Sequence, residues 1–280
     1  MTDDLARSHQ YCRHVARTRA KNFYYSFLLL SAQQRRAMCA IYAFMRYCDD
    51  LSDEPGASRA AIDQWRAEME AALEGRFSTH PLWPAFHYTV RRFGIPQQYF
   101  RDMIQGVASD LEPRRMETFD ELYRYCYQVA SVVGLTIIHI FGFDTPSALP
   151  LAEKCGVAFQ LTNILRDIGE DAERGRVYVP AEDLRRFGVT DDDLRCGNRT
   201  EAMLRLMRFE AARARAYYDD SRPLIDLIHP RSKPSLLALI SIYSRLLDRI
   251  ERKNYDVFTR RVRLSALEKS WIVVRALVGG

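Results

Sequence analysis

The chain has 280 residues, 48% hydrophobic and 28% charged, the balance of an ordinary globular protein with room for a large core. Its 36 Arg and 5 Lys against 36 acids leave a net charge of +5, but the basic residues are scattered among acids and no aromatic-rich nucleic-acid motif appears, so nucleic acid is not an expected partner. The six histidines form no HExxH or HxxxH pair and the six cysteines no CxxC pair, which argues against a zinc site.

The N-terminus, MTDDLARSHQ, is polar and acidic, unlike a signal peptide. The longest apolar runs, near Val132 to Phe143 and Ile272 to Val278, are too short to span a bilayer. The expected location is therefore cytoplasmic, with peripheral contact at the inner membrane face kept open. Cys12, Cys39, Cys48, Cys126, Cys155 and Cys196 read as reduced core thiols. No linker, repeat or low-complexity tract divides the chain, so residues 1–280 are expected to form one domain.

Residues 3 to 19 read as a first helix. In Arg19 to Ser31, RAKNFYYSFLLLS, aromatics crowd around Lys21 and Asn22; this stretch is a helix end or an extended segment lining a pocket, with Phe27 to Leu30 as core. From Gln33 to Asp53 the periodicity is strongly helical, with Met38, Ile41, Tyr42 and Met45 on the apolar face and Pro55 beyond the end. Tyr42, Arg46, Asp49, Asp50 and Asp53 follow helical steps, which puts a ladder of acids at a C-terminal end where the macrodipole disfavours them.

Residues 58 to 75, 81 to 93 and 97 to 110 read as three more helices, and Asp110 either faces a cavity or is a surface acid. Thr118 with Glu121 suggests a capping box opening a helix through Tyr123, Tyr127 and Val129 to Val133. Tyr125 and Val129 are tunnel lining or plain core, and Gly134 permits a close approach. After Pro180 come a short helix, a DDD turn, two amphipathic helices near 199–220 and 234–253, and a last apolar helix from Leu267 to Val278. Before that last helix, Tyr255, Arg260, Arg261 and Arg263 could close over an anion or form a solvated basic loop. Convincing strands are absent, so the expected fold class is all-α.

The chemistry concentrates in QLTNILRDIGEDAERGRVYVP, Gln160 to Pro180. In a helix over 157–172, Gln160, Asn163, Asp167 and Asp171 stack on one face, and carboxylates one turn apart repel. A cation should sit there. Arg166, Arg174, Arg176 and Tyr178 flank the acids, and carboxylates for a hard divalent ion beside arginines for phosphate oxygens suit a metal-bridged diphosphate. The competing reading is a solvated acidic face with an Arg166–Glu170 pair.

With both ladders in hand, the sequence resembles the squalene/phytoene synthase family of head-to-head prenyltransferases. The resemblance covers nearly the whole chain and rests on Lys21 to Phe27, YAFMRYCDDLSD at Tyr42 to Asp53, ELYRYCYQVASVVGL at Glu121 to Leu135, Phe159 to Pro180, and NYDVFTRRVRL near the C-terminus. It implies an isoprenoid synthase fold, a single helical domain around a central cavity with acidic motifs on opposing walls. It further implies that Asp49 and Asp53, with Asp167, Asp171 and the adjoining Asn163, hold Mg²⁺ or, as a substitute, Mn²⁺, and that Gln160, beside the second pair, contacts substrate. Asp50 belongs to the first motif without an assigned role. Arg46, Arg166, Tyr178 and a C-terminal arginine, Arg261, with Lys21, Asn22 and Tyr255, would serve the diphosphate. Phe23, Tyr42, Tyr125, Val129 and Gly134 would touch isoprenoid chains. One departure stands in KNFYYSF, where Asn22 and Tyr24 replace small hydroxyl residues common in the family.

The implied substrates are isoprenoid diphosphates, most closely two farnesyl diphosphates giving presqualene diphosphate as in bacterial hopanoid-type enzymes. Alternatives are phytoene synthesis from two geranylgeranyl diphosphates, squalene or dehydrosqualene as final product, and a non-catalytic isoprenoid-binding homologue. Reduction to squalene would require NADPH, and the absence of GxGxxG carries no weight because family members that use NADPH lack it too. A partner enzyme converting the product is compatible with this reading.

Overall fold

The computed structural model describes residues 3–20, 24–53, 57–111 and 115–278, apart from the side chain of Asp53. The helices are α1 (Asp3–Arg19), α2 (Tyr24–Phe27), α3 (Ala32–Asp53), α4 (Arg59–Leu73), α5 (Trp83–Phe93), α6 (Gln98–Ser109), α7 (Phe119–Cys126) and, after a π-helical turn at Tyr127–Ser131, α8 (Val132–Phe141). Then follow α9 (Ala148–Glu173), α10 (Ala181–Phe187), α11 (Asp191–Cys196), α12 (Glu201–Ser221), α13 (Leu224–Leu227), a 3₁₀ turn at Pro230–Ser232, α14 (Lys233–Arg252) and α15 (Ala266–Val278). Among the described residues there is no strand, only the isolated bridges Arg115 to Val177 and Phe143 to Ile228. The all-α expectation holds. No helix among the described residues is long and apolar enough to cross a membrane.

Two apolar clusters flank a central hollow. In the first, Phe44 of α3 stacks on Phe86 at 4.7 Å and meets the edge of Phe100 at 5.3 Å, which locks α3 against α5 and α6. All three rings are fully buried, so truncating Phe44 to alanine is expected to cost about 3–5 kcal/mol. The second cluster joins α9, α12 and α14 through Leu161, Leu165, Leu206 and Leu247. α9 is the post between them, packed on α8, α12, α14 and the π turn.

The π turn was not visible in a 3.6-residue pattern, and its cause is tertiary. A Cβ on Gly156 would lie 2.5 Å from Ser131 Cα, and one on Gly106 would lie 2.8 Å from Gln128 Cβ, so α9 and α6 clamp the turn from two sides. Ser131 Oγ donates to Glu153 O at 2.8 Å and ties it to α9.

Two local expectations need correction. Thr118 Oγ1 accepts from Glu121 N at 3.3 Å, but the Glu121 carboxylate accepts from Glu117 N at 2.7 Å, so only half of that capping box forms. A complete box stands instead at Thr190 and Asp193, where the expected DDD turn is helical. Five of the cysteines are buried free thiols as expected, whereas Cys196, at the end of the short α11, is exposed.

Candidate active site

The hollow between the clusters has a volume of about 520 Å³ and takes one wall from α3, another from α9, and closing residues from α6, the π turn and α14. Tyr42, Arg46 and Asp49 enter it from successive turns of α3. Gln160, Asn163, Asp167 and Asp171 enter it from α9, together with Arg166 and Glu170. The two ladders therefore share one cavity. Tyr243 of α14 lies between them: burial pushes its hydroxyl up to about 12, Asp167 and Asp49 both add to that, and Arg166 and a hydrogen bond with Asn163 oppose it. Its ring stacks on Phe159 at 4.3 Å.

Below the polar mouth the lining turns apolar, with Met38, Ile41, Ile137, Leu236 and Leu239. The mouth itself is dense in charge. Arg166 holds Asp167 in a fork, Nε to Oδ1 at 2.8 Å and Nη2 to Oδ2 at 2.5 Å, and Arg261 adds Nη2 to Oδ2 at 2.8 Å. The second arm of Arg261 reaches Glu170 Oε2 at 2.9 Å. Asp171 keeps no such fork; burial first and the Asp167 charge second push its carboxyl up to about 7, against the pull of Arg176 and Arg174.

Asp110 is a cavity residue. Tyr125 and Tyr178 donate to its two oxygens at 3.0 and 2.9 Å, and their rings stack at 4.9 Å. Burial raises both phenols, and the Asp110 charge raises them further. Arg176 Nη2 donates to Asp110 O at 3.1 Å and to Ser52 O at 3.2 Å, joining the ends of α6 and α3 across the mouth.

Two buried polar atoms in the hollow have no hydrogen-bond partner: Arg46 Nε, a donor, and Asn163 Oδ1, an acceptor. An unmet donor and an unmet acceptor in one hollow are what a site for an anion bridged by a cation presents. The donor set fits a hard divalent ion, being all oxygen: the carboxylates of Asp49, Asp167 and Asp171 and the unpartnered Oδ1 of Asn163. Among the described residues, no three acids already converge as a metal cage.

A squalene/phytoene synthase family profile matches residues 16–268. The chain belongs to the squalene/phytoene synthase family. Phytoene synthase 1 of Arabidopsis thaliana is 38% identical over 274 residues, 95% of this chain and 65% of that protein, so the chain spans about two thirds of this relative's length. Among solved structures, a dehydrosqualene synthase in complex with ligand superposes with a TM-score of 0.92 at 29% identity, covering 98% of this chain and 97% of the other. Squalene synthase HpnC from Alicyclobacillus acidocaldarius superposes with a TM-score of 0.85 at 31% identity, covering 91% of this chain and 97% of that one. The isoprenoid synthase fold and the membership in a prenyltransferase family expected from the motifs both hold.

Of the residues that the squalene/phytoene synthase resemblance singled out, Tyr42, Arg46, Asp49, Tyr125, Val129, Gly134, Gln160, Asn163, Arg166, Asp167, Asp171, Tyr178 and Arg261 all line the hollow. Gly134 has a packing reason as well, because a Cβ there would sit 3.0 Å from Ala152 O. Lys21, Asn22 and Phe23, and the side chain of Asp53, lie outside the described residues. Asp50 is not a cavity acid: it turns to Arg46 and Arg19 and pairs with both. Tyr255 needs correction too, since it has a positive φ of 59°, packs against the second cluster beyond the end of α14, and does not line the hollow. Sequence reasoning missed Tyr243, Phe159 and Glu170. Tyr243 sits in the apolar stripe of α14, where a core tyrosine and a site tyrosine share one spacing.

Proposed function

We propose that this protein condenses two allylic prenyl diphosphates head to head. One observation carries the reading: a single hollow holds both acid ladders and their arginines at its mouth and apolar side chains in its depth. That is the shape of a diphosphate on an isoprenoid tail. The intact carboxylates of Asp49, Asp167 and Asp171 in that mouth argue against a non-catalytic isoprenoid binder.

Arg46 offers its unpartnered Nε to diphosphate oxygens, and Arg166 and Arg261, which now hold Asp167, would turn their forks to those oxygens once a cation takes their place on the carboxylate. Asp49, Asp53, Asn163, Asp167 and Asp171 would hold the divalent cations, Mg²⁺ or Mn²⁺, which supply Lewis acidity to the leaving diphosphate. When the allylic C–O bond breaks, its electron pair leaves with the diphosphate and an allylic cation remains. The ring faces of Tyr42, Phe159 and Tyr243 stabilise that cation in a dry cavity without trapping it as water would. The double bond of the second prenyl diphosphate attacks the cationic carbon, and loss of a proton to the released diphosphate closes a cyclopropane.

The donor we assign is farnesyl diphosphate, with presqualene diphosphate as product. The names of the two solved neighbours, a dehydrosqualene synthase and a squalene synthase, support this choice. The 38% identity to a phytoene synthase favours the second reading, two geranylgeranyl diphosphates. Incubating the purified protein with Mg²⁺ and either diphosphate, with and without NADPH, and identifying products by mass spectrometry tests both. Presqualene diphosphate from the farnesyl substrate is the expected result. A product from the geranylgeranyl substrate alone overturns the chain length, and no product from either overturns the activity.

A further inference from the structure

α15 is apolar on two sides. Ile272 and Ala276 are buried on its inner side, where the helix packs on α14. Its outer side presents Leu267, Trp271, Val274 and Val278, at steps of four, three and four residues, with relative exposures of 84%, 57%, 57% and 85%. A helix with apolar residues on two opposite sides normally has both covered. The outer side of this one is exposed, and α2, which packs on α15, ends beside Leu28, itself 48% exposed. Single exposed apolar residues are ordinary, whereas a continuous stripe marks a docking surface.

The charge around the stripe selects its occupant. Arg260, Arg263 and Arg275 are exposed, and the Arg275 guanidinium lies 5.0 Å from the Trp271 ring. Glu268, the sole acid from Val257 to Val278, is tied to Arg249 and to Ser265. A second copy docking through the same face would set these cations against their own images. An anionic bilayer matches them. Trp seats at the lipid–water boundary, arginine stems reach from apolar surface to headgroups, and a helix of this kind lies in the interface plane.

We propose that the outer face of α15, with Leu28, docks the protein on the surface of an anionic lipid bilayer. Phe27, the last residue of α2, lines the hollow, so the docked face adjoins the wall of the isoprenoid cavity. An oily product leaving beside α2 would pass from one apolar phase into another; this consequence rests on the proposed function, the docking itself does not.

The test uses the full chain and vesicles of phosphatidylcholine alone or mixed with phosphatidylglycerol, without substrate, so its outcome is independent of turnover. Co-sedimentation should occur with the anionic vesicles, weaken with salt, and be accompanied by a blue shift of Trp271 emission. Trp65 and Trp83 are buried, and Trp271→Phe supplies the reference spectrum. The double variant Leu267→Glu/Val274→Glu changes only exposed positions and should lower vesicle binding roughly tenfold or more, with an unchanged circular dichroism spectrum. Equal binding by the double variant, no binding of the native chain to anionic vesicles, or a discrete dimer by light scattering that the variant abolishes would each overturn the proposal.

Discussion

Two clusters of buried acid and arginine lie on either side of the second core. Behind α12, Arg213 Nη1 reaches Asp183 Oδ2 at 2.8 Å and Glu210 Oε2 at 2.9 Å, and its guanidinium lies over the rings of Phe119 and Phe209 at 4.2 and 4.7 Å. At the cavity mouth, Arg166 and Arg261 hold Asp167, while Asp171 stands beside them with Arg46 Nε and Asn163 Oδ1 unpartnered. Burial raises one carboxyl in each cluster to about 7, Glu210 in the first and Asp171 in the second. A perturbed carboxyl therefore does not separate a strut from a site. The separation comes from what is left over: the Arg213 cluster is closed by rings, whereas the mouth has unmet donors and acceptors facing a hollow.

Substitutions can break that contrast. Asp167→Asn keeps one acceptor for Arg166 and removes the charge, so turnover should fall by about a hundredfold or more, while stability falls less than in Arg213→Met because the relief of Asp171 offsets part of the lost fork. Steady-state kinetics and thermal melts read the two effects, and retained turnover would make the mouth as structural as the other cluster. Arg213→Met should do the reverse. It strands two buried acids at a cost of about 3–5 kcal/mol, visible in denaturant unfolding, with the turnover of the folded fraction unchanged.

The pH dependence sharpens the same contrast. Glu210 has its carboxyl raised from 4.5 to about 7 in the folded chain, burial first, with Asp183 raising it further and Arg213 lowering it. The folded state keeps a proton that the unfolded state releases, so this contribution to stability is whole below pH 4.5 and is lost as pH rises through about 7. Denaturant midpoints of Glu210→Gln across that window should therefore fall less steeply than those of the native chain. A smaller loss is expected from Tyr178→Phe, which removes one of two hydroxyl donors to Asp110: about 1 kcal/mol in unfolding, with KM for the diphosphate substrate raised severalfold. Smallest of all is Lys154→Gln, which breaks a surface pair with Asp220 and should shift unfolding by less than about 0.5 kcal/mol.

Much of the site was legible because both ladders are local patterns. Asn163, Asp167 and Asp171 share a face through helix geometry alone, and so do Tyr42, Arg46 and Asp49. Asp50 shows where that logic stops. It follows Asp49 directly in the chain, yet it faces Arg19 on α1, a partner that no periodicity on α3 names. Asp110 had equal claims to cavity and surface until the fold brought Tyr125 and Tyr178 to its two oxygens. Tyr255 was misplaced for a similar reason: its neighbours in the chain are basic, but the left-handed turn after α14 sends it toward the second core.

By itself the sequence determined the all-α class, most helix spans, the two acid ladders and the family, because each is written in spacings of three and four residues or in contiguous motifs. Tertiary structure alone decided that the ladders open onto one hollow, that Tyr243 stands between them, that Arg261 crosses to Asp167, and that the stripe on α15 stays uncovered. These are meetings between residues far apart in the chain. Helical periodicity sets the direction of a side chain relative to its own helix, and only packing sets what that direction points at.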